Sequence, residues 1–311
     1  MKIYNRTEAT EEEETLQNQH SGAALIDDRR LCTTFSEGCG TWISEKDVTA
    51  SNTESIYLAK RTFFAVKTCK KHHKERLPII SETWGKSALN IEYFSEVKSK
   101  RYNTTLLPEV YQNTEKGHCL KTHAILKYFE RYAAKNGWKW LVITDDDTIL
   151  GVQNLFNLLQ HYNPNNALLI GERYGYLLSK EKLGFDYLAG GAGMVFSAKM
   201  VKDMLQENGK YCSCPKPDEH DDMFLAGSCI KLIQKSILHN DRFHQNSPSA
   251  YSSKVLENKD QISFHKFRTI DPDHGTFDWN NPKETYKKYF MESDKFLKSY
   301  KKTEKHDNLR S

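Results

Sequence analysis

The sequence predicts an α/β fold in which helices flank a mostly parallel sheet, and three observations carry that prediction. Short apolar runs recur from residue 62 onwards, and segments of helical periodicity separate them. The runs are apolar throughout rather than alternating, which is typical of parallel strands buried on both faces. The 311 residues are 38% hydrophobic and 12% aromatic, enough to fill a sizeable core. Strands and helices that alternate over this length indicate one α/β domain with a Rossmann-like sheet.

The elements of the first half follow one another with clear boundaries. In chain order they are strand 63–66, helix 73–83, strand 91–94, helix 117–136, strand 140–143, helix 152–162 and strand 167–170. Gly137 ends the longest helix, because glycine tolerates the left-handed conformation found after a helix. Asn163-Pro164 ends the next one, since proline cannot continue a helix.

The second half is less regular. Its elements are the turn 190–193, strand 194–196, helix 198–208, a cysteine-bearing loop 209–218, helix 221–235, strand 262–264 and a lysine-rich helix 282–300. We expect residues 56–300 to form one domain, residues 1–55 a flexible acidic arm and residues 301–311 a charged tail. The arm is acidic and aperiodic, and such a segment buries too little apolar area to offset its chain entropy.

The charge of the chain argues against nucleic acid as a partner, and its hydropathy argues against a membrane-spanning segment. The 45 Lys and Arg exceed the 41 Asp and Glu by only four, which is too small an excess to predict nucleic-acid binding. No stretch approaches the ~18 consecutive apolar residues that cross a bilayer. The opening MKIYNRTEATEEEE is polar and predicts no signal peptide.

The cysteines leave two interpretations open. No pair has the C-x-x-C spacing of a zinc ribbon or a thioredoxin-type redox site. The chain holds either free buried thiols, as in the cytosol, or two or three disulfides and a spare thiol, as in the secretory pathway. The sequons at Asn5 and Asn103 are compatible with the second interpretation. In that interpretation Cys212 or Cys214 pairs with one of three partners, which are Cys229, Cys69 and Cys119. Cys32 pairs locally with Cys39.

The three aspartates Asp145-Asp146-Asp147 directly follow the predicted strand 140–143. Open α/β sheets bind ligands at the carboxyl ends of their strands. Three adjacent carboxylates repel one another unless a cation compensates them, and Mn²⁺ or Mg²⁺ prefers such oxygen ligands. A solvated acidic turn is the alternative. The position after a buried strand favours a metal ion that holds a diphosphate.

Asp221 and Asp222 lie at the start of a predicted helix. Acidic residues at that position either cap the helix or, near an acceptor hydroxyl, act as a general base. The glycine-rich turn 190–193 lacks the Gly-Lys-Ser/Thr ending of a phosphate loop, so it makes either a tight turn or a close approach of the backbone to a sugar.

Two histidines follow aromatic residues, His244 after Phe243 and His265 after Phe264. A histidine in an apolar strand is more often structural than a ligand. With a metal held by aspartates nearby, one neutral imidazole is a plausible additional ligand.

Several of these motifs together resemble the fringe-like glycosyltransferases. The motifs occur in the same order in that family as in this chain. In this chain they are Ala65–Arg76, Glu82–Trp84, the three aspartates, Gly190–Gly193, Asp221-Asp222-Met223 and Phe243-His244. Further segments resemble the family members that extend O-linked fucose with glucose; they are Gly117–Thr122, Gly171–Tyr176, Gly193–Ser197, Phe243–Gln245 and Ile262–Lys266. Such members are longer chains, with a thioredoxin-like first half and an ER-retention tail.

The resemblance implies a GT-A type fold and an inverting, metal-dependent transfer. The implied reaction moves glucose from UDP-glucose to the 3-hydroxyl of O-linked fucose on thrombospondin type 1 repeat proteins, in β-1,3 linkage, in the endoplasmic reticulum lumen. The alternatives are GlcNAc transfer to O-fucosylated EGF repeats and a truncated, inactive glycan-binding module.

The resemblance also implies roles for individual residues. It makes Asp147 a direct Mn²⁺ ligand and favours His265 over His244 as a further ligand. It places Asp145 and Asp146 near the ribose and metal waters, and the donor beside Lys67, Thr68, Gly191 and Gly193. It makes Asp222 the base, with Asp221 as the second choice. Fringe enzymes use the later histidine of Phe-His-x-His, where this chain has Asn246.

Overall fold

The computed structural model describes residues 51–110, 113–114, 117–176, 184–257, 260–266 and 282–308. The expected acidic arm, apart from its last five residues, and the pair Cys32 and Cys39 lie outside these ranges. The described strands are β1 Thr62–Lys67, β2 Asn90–Phe94, β3 Thr104–Thr105, β4 Trp140–Asp145, β5 Ile149–Leu150, β6 Leu169–Gly171, β7 Arg173–Tyr176, β8 Phe185–Leu188, β9 Met194–Ser197, β10 Leu238–His239 and β11 Ser263–Phe264.

The described helices lie before the first strand, between the strands and after the last of them. They are α1 Asn52–Arg61, α2 Leu77–Glu82, α3 Cys119–Asn136, α4 Val152–Leu159, α5 Ala198–Met204, α6 Gln206–Gly209, α7 Asp221–Met223, α8 Cys229–Leu232, α9 Ser253–Leu256, α10 Pro282–Tyr289 and α11 Lys295–Asn308. A π-helical segment, Phe224–Ser228, joins α7 to α8. Within the described ranges, no helix combines the length and the apolar character needed to cross a membrane.

One seven-stranded sheet organises the fold, with the strand order β10-β6-β9-β4-β1-β2-β3. The pairs β1–β2, β1–β4, β2–β3 and β6–β10 are parallel, while β9 runs antiparallel to both β4 and β6. The predicted α/β class with a mostly parallel sheet flanked by helices is therefore confirmed. The carboxyl ends of the central strands β1 and β4 meet at one edge, which carries the candidate site.

Two apolar layers cover the two faces of this sheet, and β1 contributes to both. Phe64 and Val66 pack with α1, α4, α10 and α11, whereas Phe63 and Ala65 pack with α3 and α5. Every residue of β1 is buried. A strand that is covered on both faces needs apolar residues at successive positions, which explains the continuous run in the sequence.

Several predicted boundaries differ from the observed ones. The predicted helix 73–83 shortens to α2, because Pro78 fits only the first turn of a helix. The helix α1 begins before the expected domain start at residue 56, and the Ser51 side chain caps it by accepting a hydrogen bond from the Glu54 N–H at 3.2 Å. The predicted helix 198–208 is divided into α5 and α6 at Leu205.

The predicted helix 282–300 is also two helices, with the buried Asp294 at the break. Its carboxylate accepts hydrogen bonds from the Gln153 N–H and the Tyr286 hydroxyl, both at 2.8 Å. The second helix continues to Asn308, so it includes the first eight residues of the expected charged tail.

Candidate active site

The three aspartates lie where strand β4 ends, as the sequence predicts. Lys67, the last residue of the neighbouring parallel strand β1, is in register with Asp145. Its Nζ lies 3.1 Å from Asp145 Oδ1 and 2.5 Å from Asp221 Oδ2. Burial alone disfavours the ammonium, but the two carboxylates raise the pKa of Lys67 and keep it charged. Lys67 therefore links β4 to the start of α7.

Asp146 turns towards the loop that follows β1. Its Oδ2 accepts a hydrogen bond from Thr68 Oγ1 at 2.7 Å, and its Oδ1 accepts one from Arg76 NH1 at 2.6 Å. His72 Nδ1 lies 3.2 Å from the same carboxylate. Asp146 is thus held by three neighbours and fixes the loop against the end of β4.

Asp145, Asp147 and His265 form the one group of three or more potential metal ligands that the described part of the chain contains. Their ligand atoms all lie within 4.8 Å of one another. His265 Nε2 is 3.0 Å from Asp147 Oδ1 and 3.8 Å from Asp145 Oδ2. Two carboxylate oxygens and an imidazole nitrogen suit a divalent metal ion.

The carboxylates around this group outnumber the fixed positive charges, which leaves net negative charge for a divalent cation. Lys67 and Arg76, the latter 3.1 Å from Asp147 Oδ2, bring two fixed positive charges against the three aspartates. Burial disfavours the charged forms here, yet Lys67 and His265 keep the pKa of Asp145 low, and His265 and Arg76 do so for Asp147. The carboxylates are therefore ionised and available as ligands.

The imidazole of His265 is positioned by the glycine-rich turn and by one backbone carbonyl. A Cβ at Gly191 would lie 2.2 Å from the ring, so only glycine leaves room for it. His265 Nδ1 lies 3.1 Å from the carbonyl oxygen of Gln245. With both ring nitrogens protonated, His265 donates from Nδ1 to this carbonyl and from Nε2 to Asp147 Oδ1, and a metal ion bound here would replace the proton on Nε2.

His244 lies apart from this group. Its ring stacks on Phe264, with centroids 4.8 Å apart, and packs against Tyr251 at 4.4 Å. Its Nε2 pairs with the Gln261 side chain, and burial lowers its pKa. The structure therefore brings Asp145, Asp147 and His265 together and leaves His244 in the apolar layer.

Asp221 and Asp222 point to different partners. Asp221 accepts hydrogen bonds from Lys67 and Thr122, and although burial opposes ionisation, Lys67 lowers its pKa. Asp222 accepts hydrogen bonds from the N–H groups of Gly190, at 3.2 Å, and Met223, at 2.8 Å. Burial, together with the charge of Asp221, raises the pKa of Asp222 to about 6. Asp222 is thus poised to exchange a proton near neutral pH.

Two residues that support His265, Glu172 and Gln245, were not predicted from the sequence. Glu172 is buried and accepts a hydrogen bond from the Gln245 N–H at 2.5 Å. The Gln245 side-chain oxygen accepts one from the Ala192 N–H at 2.8 Å, while its carbonyl meets His265. Burial raises the pKa of Glu172 to about 8. Glu172 and Gln245 lie inside segments that resemble the glucose-transferring members, and that resemblance was the one feature of the sequence that could have identified them.

Two disulfides stabilise the region around α7. Cys119, at the start of α3, pairs with Cys214, and Cys212 pairs with Cys229 at the start of α8. Of the described cysteines, Cys69 alone is free. Both bonds are among the alternatives that the spacing left open, and they fix the loop before Asp221 to helices on either side.

A cleft of about 1110 Å³ opens between the loops that follow β1 and β2 and begins at Cys69, the residue after Thr68. Lysine, arginine and histidine side chains make up about half of its lining, including Lys70, His72, His73, Lys98 and Arg101, and Tyr102 adds one aromatic ring. Such a lining suits a negatively charged ligand with an aromatic base.

The chain also matches known proteins. A family model described as Fringe-like matches residues 58–296. The chain is 40% identical over 225 residues to the mouse (Mus musculus) Beta-1,3-glucosyltransferase, covering 71% of this chain and 44% of that protein. It is 40% identical over 228 residues to the human (Homo sapiens) protein of the same name, covering 72% of this chain and 43% of that protein. Fringe glycosyltransferase of Drosophila melanogaster is 26% identical over 247 residues, covering 71% and 58%. The chain spans less than half the length of the two mammalian relatives.

Proposed function

The chain belongs to the fringe-like family of glycosyltransferases, and from that premise we propose that it transfers glucose from UDP-glucose to the 3-hydroxyl of O-linked fucose on thrombospondin type 1 repeats, with inversion. The fold is accordingly of GT-A type, as the resemblance implied. The name Beta-1,3-glucosyltransferase of the mouse and human relatives supports the donor sugar and the linkage. The nucleotide and the acceptor protein follow from the motifs that resemble the glucose-transferring members.

One observation carries the proposed chemistry. A set of metal-ligating atoms within 4.8 Å of one another and a carboxylate with a pKa of about 6 occur at the same edge of the sheet. An inverting transfer needs both, since the leaving diphosphate requires positive charge and the attacking hydroxyl requires a base.

The donor half of the site consists of Asp145, Asp147 and His265 and the basic cleft beside Thr68. When bound there, a divalent cation supplies positive charge to the β-phosphate of the departing UDP. Asp145 and Asp147 provide oxygen ligands, and His265 provides Nε2. The cleft admits the nucleoside, and its lysines attract the phosphates before binding.

The acceptor half depends on Asp222. Its carboxylate takes the proton of the fucose 3-hydroxyl as that oxygen attacks the anomeric carbon. The hydrogen bonds from Gly190 and Met223 hold the carboxylate in one orientation. Asp221 is the second choice, because its Oδ2 is occupied by Lys67 and Thr122.

Two alternatives compete with this proposal. The 26% identity to Fringe glycosyltransferase supports GlcNAc transfer to O-fucosylated EGF repeats, because other relatives are named Beta-1,3-N-acetylglucosaminyltransferase. An inactive glycan-binding module has no need of Asp147, Asp222 and His265 together, so the intact set argues against it.

We also propose that the enzyme works in the endoplasmic reticulum lumen. The two disulfides support an oxidising compartment, since such bonds rarely persist in the cytosol.

A panel of donors and acceptors tests the reaction. UDP-glucose and UDP-GlcNAc are each offered with a fucosylated thrombospondin repeat and a fucosylated EGF repeat, and the product linkage is determined. We expect β-1,3-glucose on the thrombospondin repeat alone. Transfer of GlcNAc to the EGF repeat alone would select the fringe-type reaction, and binding without any transfer would select the inactive module.

A further inference from the structure

The hairpin β7–β8 carries four aromatic side chains on one face. Tyr174 pairs with Tyr187, and Tyr176 pairs with Phe185, in antiparallel register. Side chains of such pairs, two residues apart along each strand, lie on the same side of a hairpin. The ring centroids are 6.3 Å apart in the first pair and 5.6 Å in the second, and Phe185 lies 6.3 Å from Tyr187. We call these four residues the aromatic face.

The inner end of the aromatic face lies beside the candidate base. A Cβ at Gly227, in the π-helical segment that follows α7, would lie 2.9 Å from Tyr187 Cβ, so the strand and this segment are in close contact. Two residues after the end of β8, the Gly190 N–H donates a hydrogen bond to Asp222 Oδ2 at 3.2 Å, so the strand that carries Tyr187 leads directly to this carboxylate. Burial and the charge of Asp222 both raise the pKa of Tyr187.

The outer end of the aromatic face reaches solvent. Tyr176 is 37% exposed and Phe185 is half-buried, although both are large and apolar in their rings. Phe185 also packs on the π-helical segment, since its Cδ2 would lie 3.3 Å from a Cβ at Gly227, whereas Tyr176 is the exposed member of the aromatic face. An exposed aromatic ring that continues a row of partly buried rings is typical of a binding surface.

We propose that the aromatic face is the acceptor subsite, on which the O-linked fucose and the adjoining polypeptide of the acceptor pack. This inference rests on the proposed function, because Asp222 is the group that must meet the acceptor hydroxyl. The C–H face and methyl group of a 6-deoxy sugar pack against aromatic rings. The donor cleft borders the loops after β1 and β2, whereas the hairpin borders α7, so the two substrates reach Asp222 from different elements.

The ring of Tyr176 is the feature to test, because its exposure makes its removal tolerable for folding. Tyr176→Ala removes the outermost ring and Tyr176→Phe keeps it. Tyr57→Ala is the matched control, since Tyr57 is 47% exposed, stacks on Arg61 at 3.9 Å and lies on α1 before the start of β1. Binding of a fucosylated thrombospondin repeat in the presence of UDP is measured by calorimetry, and the acceptor KM is measured wherever transfer occurs.

We expect Tyr176→Ala to weaken repeat binding ~10-fold, and to raise the acceptor KM by a similar factor, as for loss of an aromatic anchor. Tyr176→Phe and Tyr57→Ala should stay within about twofold of the wild type. UDP affinity and the melting temperature should hold in all three variants. The inference is overturned if the wild type does not bind the repeat, if Tyr176→Ala binds it normally, or if Tyr57→Ala loses as much. Binding with these dependences but no glucose transfer would retain the subsite and reject the proposed reaction.

Discussion

Lys67 and Asp221 form a buried ion pair, with Nζ and Oδ2 2.5 Å apart although 154 residues separate them in the sequence. The pair joins the end of β1 to the start of α7. Because the same Nζ also contacts Asp145, the helix that carries Asp222 is fixed relative to the aspartates of the candidate metal site. The positions of donor and acceptor groups therefore depend on one buried ammonium.

The first prediction separates the two acidic residues of α7. Asp222→Asn keeps the side-chain volume but removes the base, so kcat should fall by ~10²-fold or more while UDP binding and the melting temperature hold. Asp221→Asn should destabilise the fold by on the order of 3 kcal/mol, because it leaves Lys67 with one partner fewer. Steady-state kinetics and thermal unfolding give both values. A retained kcat in Asp222→Asn with a collapse in Asp221→Asn would transfer the role to Asp221.

The second prediction concerns pH. The pKa of Asp222 is raised to about 6, and the base must be ionised to accept a proton. Activity should therefore be maximal above this pH and fall ~10-fold per unit below it. The pH profile of kcat measures the effect. A profile flat down to about pH 4, the ordinary range of an aspartate, would contradict it.

The third prediction uses two histidines as a matched pair. His265→Gln should weaken Mn²⁺ binding ~10-fold or more, whereas His244→Gln should leave Mn²⁺ affinity unchanged and lower only the melting temperature. Asp147→Asn, which removes a charged ligand, should cut turnover by ~10³-fold. Electron paramagnetic resonance titration of Mn²⁺ reads out binding without activity. Full turnover in excess chelator would refute the metal requirement.

The fourth prediction addresses the support of His265. Glu172→Ala removes the acceptor of the Gln245 N–H, so the carbonyl that orients His265 loses its anchor. We expect Mn²⁺ affinity to fall ~10-fold, the effect found for residues behind a metal ligand. Glu172→Gln keeps an oxygen acceptor and should retain most of the affinity. Equal losses in both variants would contradict this role, because Gln also offers an oxygen acceptor to the Gln245 N–H.

The fifth prediction concerns the disulfides. Cys119 and Cys214 are 95 residues apart, so replacing both with alanine should lower the free energy of unfolding by about 2–4 kcal/mol. Denaturant unfolding measures this, and peptide mapping without reductant should recover Cys119–Cys214 and Cys212–Cys229. A map with other pairs would contradict the arrangement around α7.

The central strands were predictable from the sequence because every side chain of β1 is buried, which forces a continuous apolar run. The antiparallel direction of β9 was not predictable, since a buried strand has the same composition whether it runs parallel or antiparallel to its neighbours. The hairpin β7–β8 was also missed, although its aromatic residues have high strand propensity.

In the candidate site, the aspartates after β4 were predictable from their position at a strand end. The chain from Glu172 through Gln245 to His265 was not, because Glu172 and Gln245 lie 73 residues apart and meet only in the fold. The disulfide partners were undecided for the same reason, since spacing does not choose between Cys69 and Cys119.

Gly191 and His265 also constrain how this site can evolve or be redesigned. Any side chain at residue 191 competes with the imidazole for the same volume, so a change there has to be accompanied by a change at residue 265. A single substitution at either residue displaces or removes the imidazole from the candidate metal site. A mutational path to a different ligand set therefore passes through an impaired intermediate, and libraries aimed at new donor sugars should vary these two residues jointly or leave both unchanged.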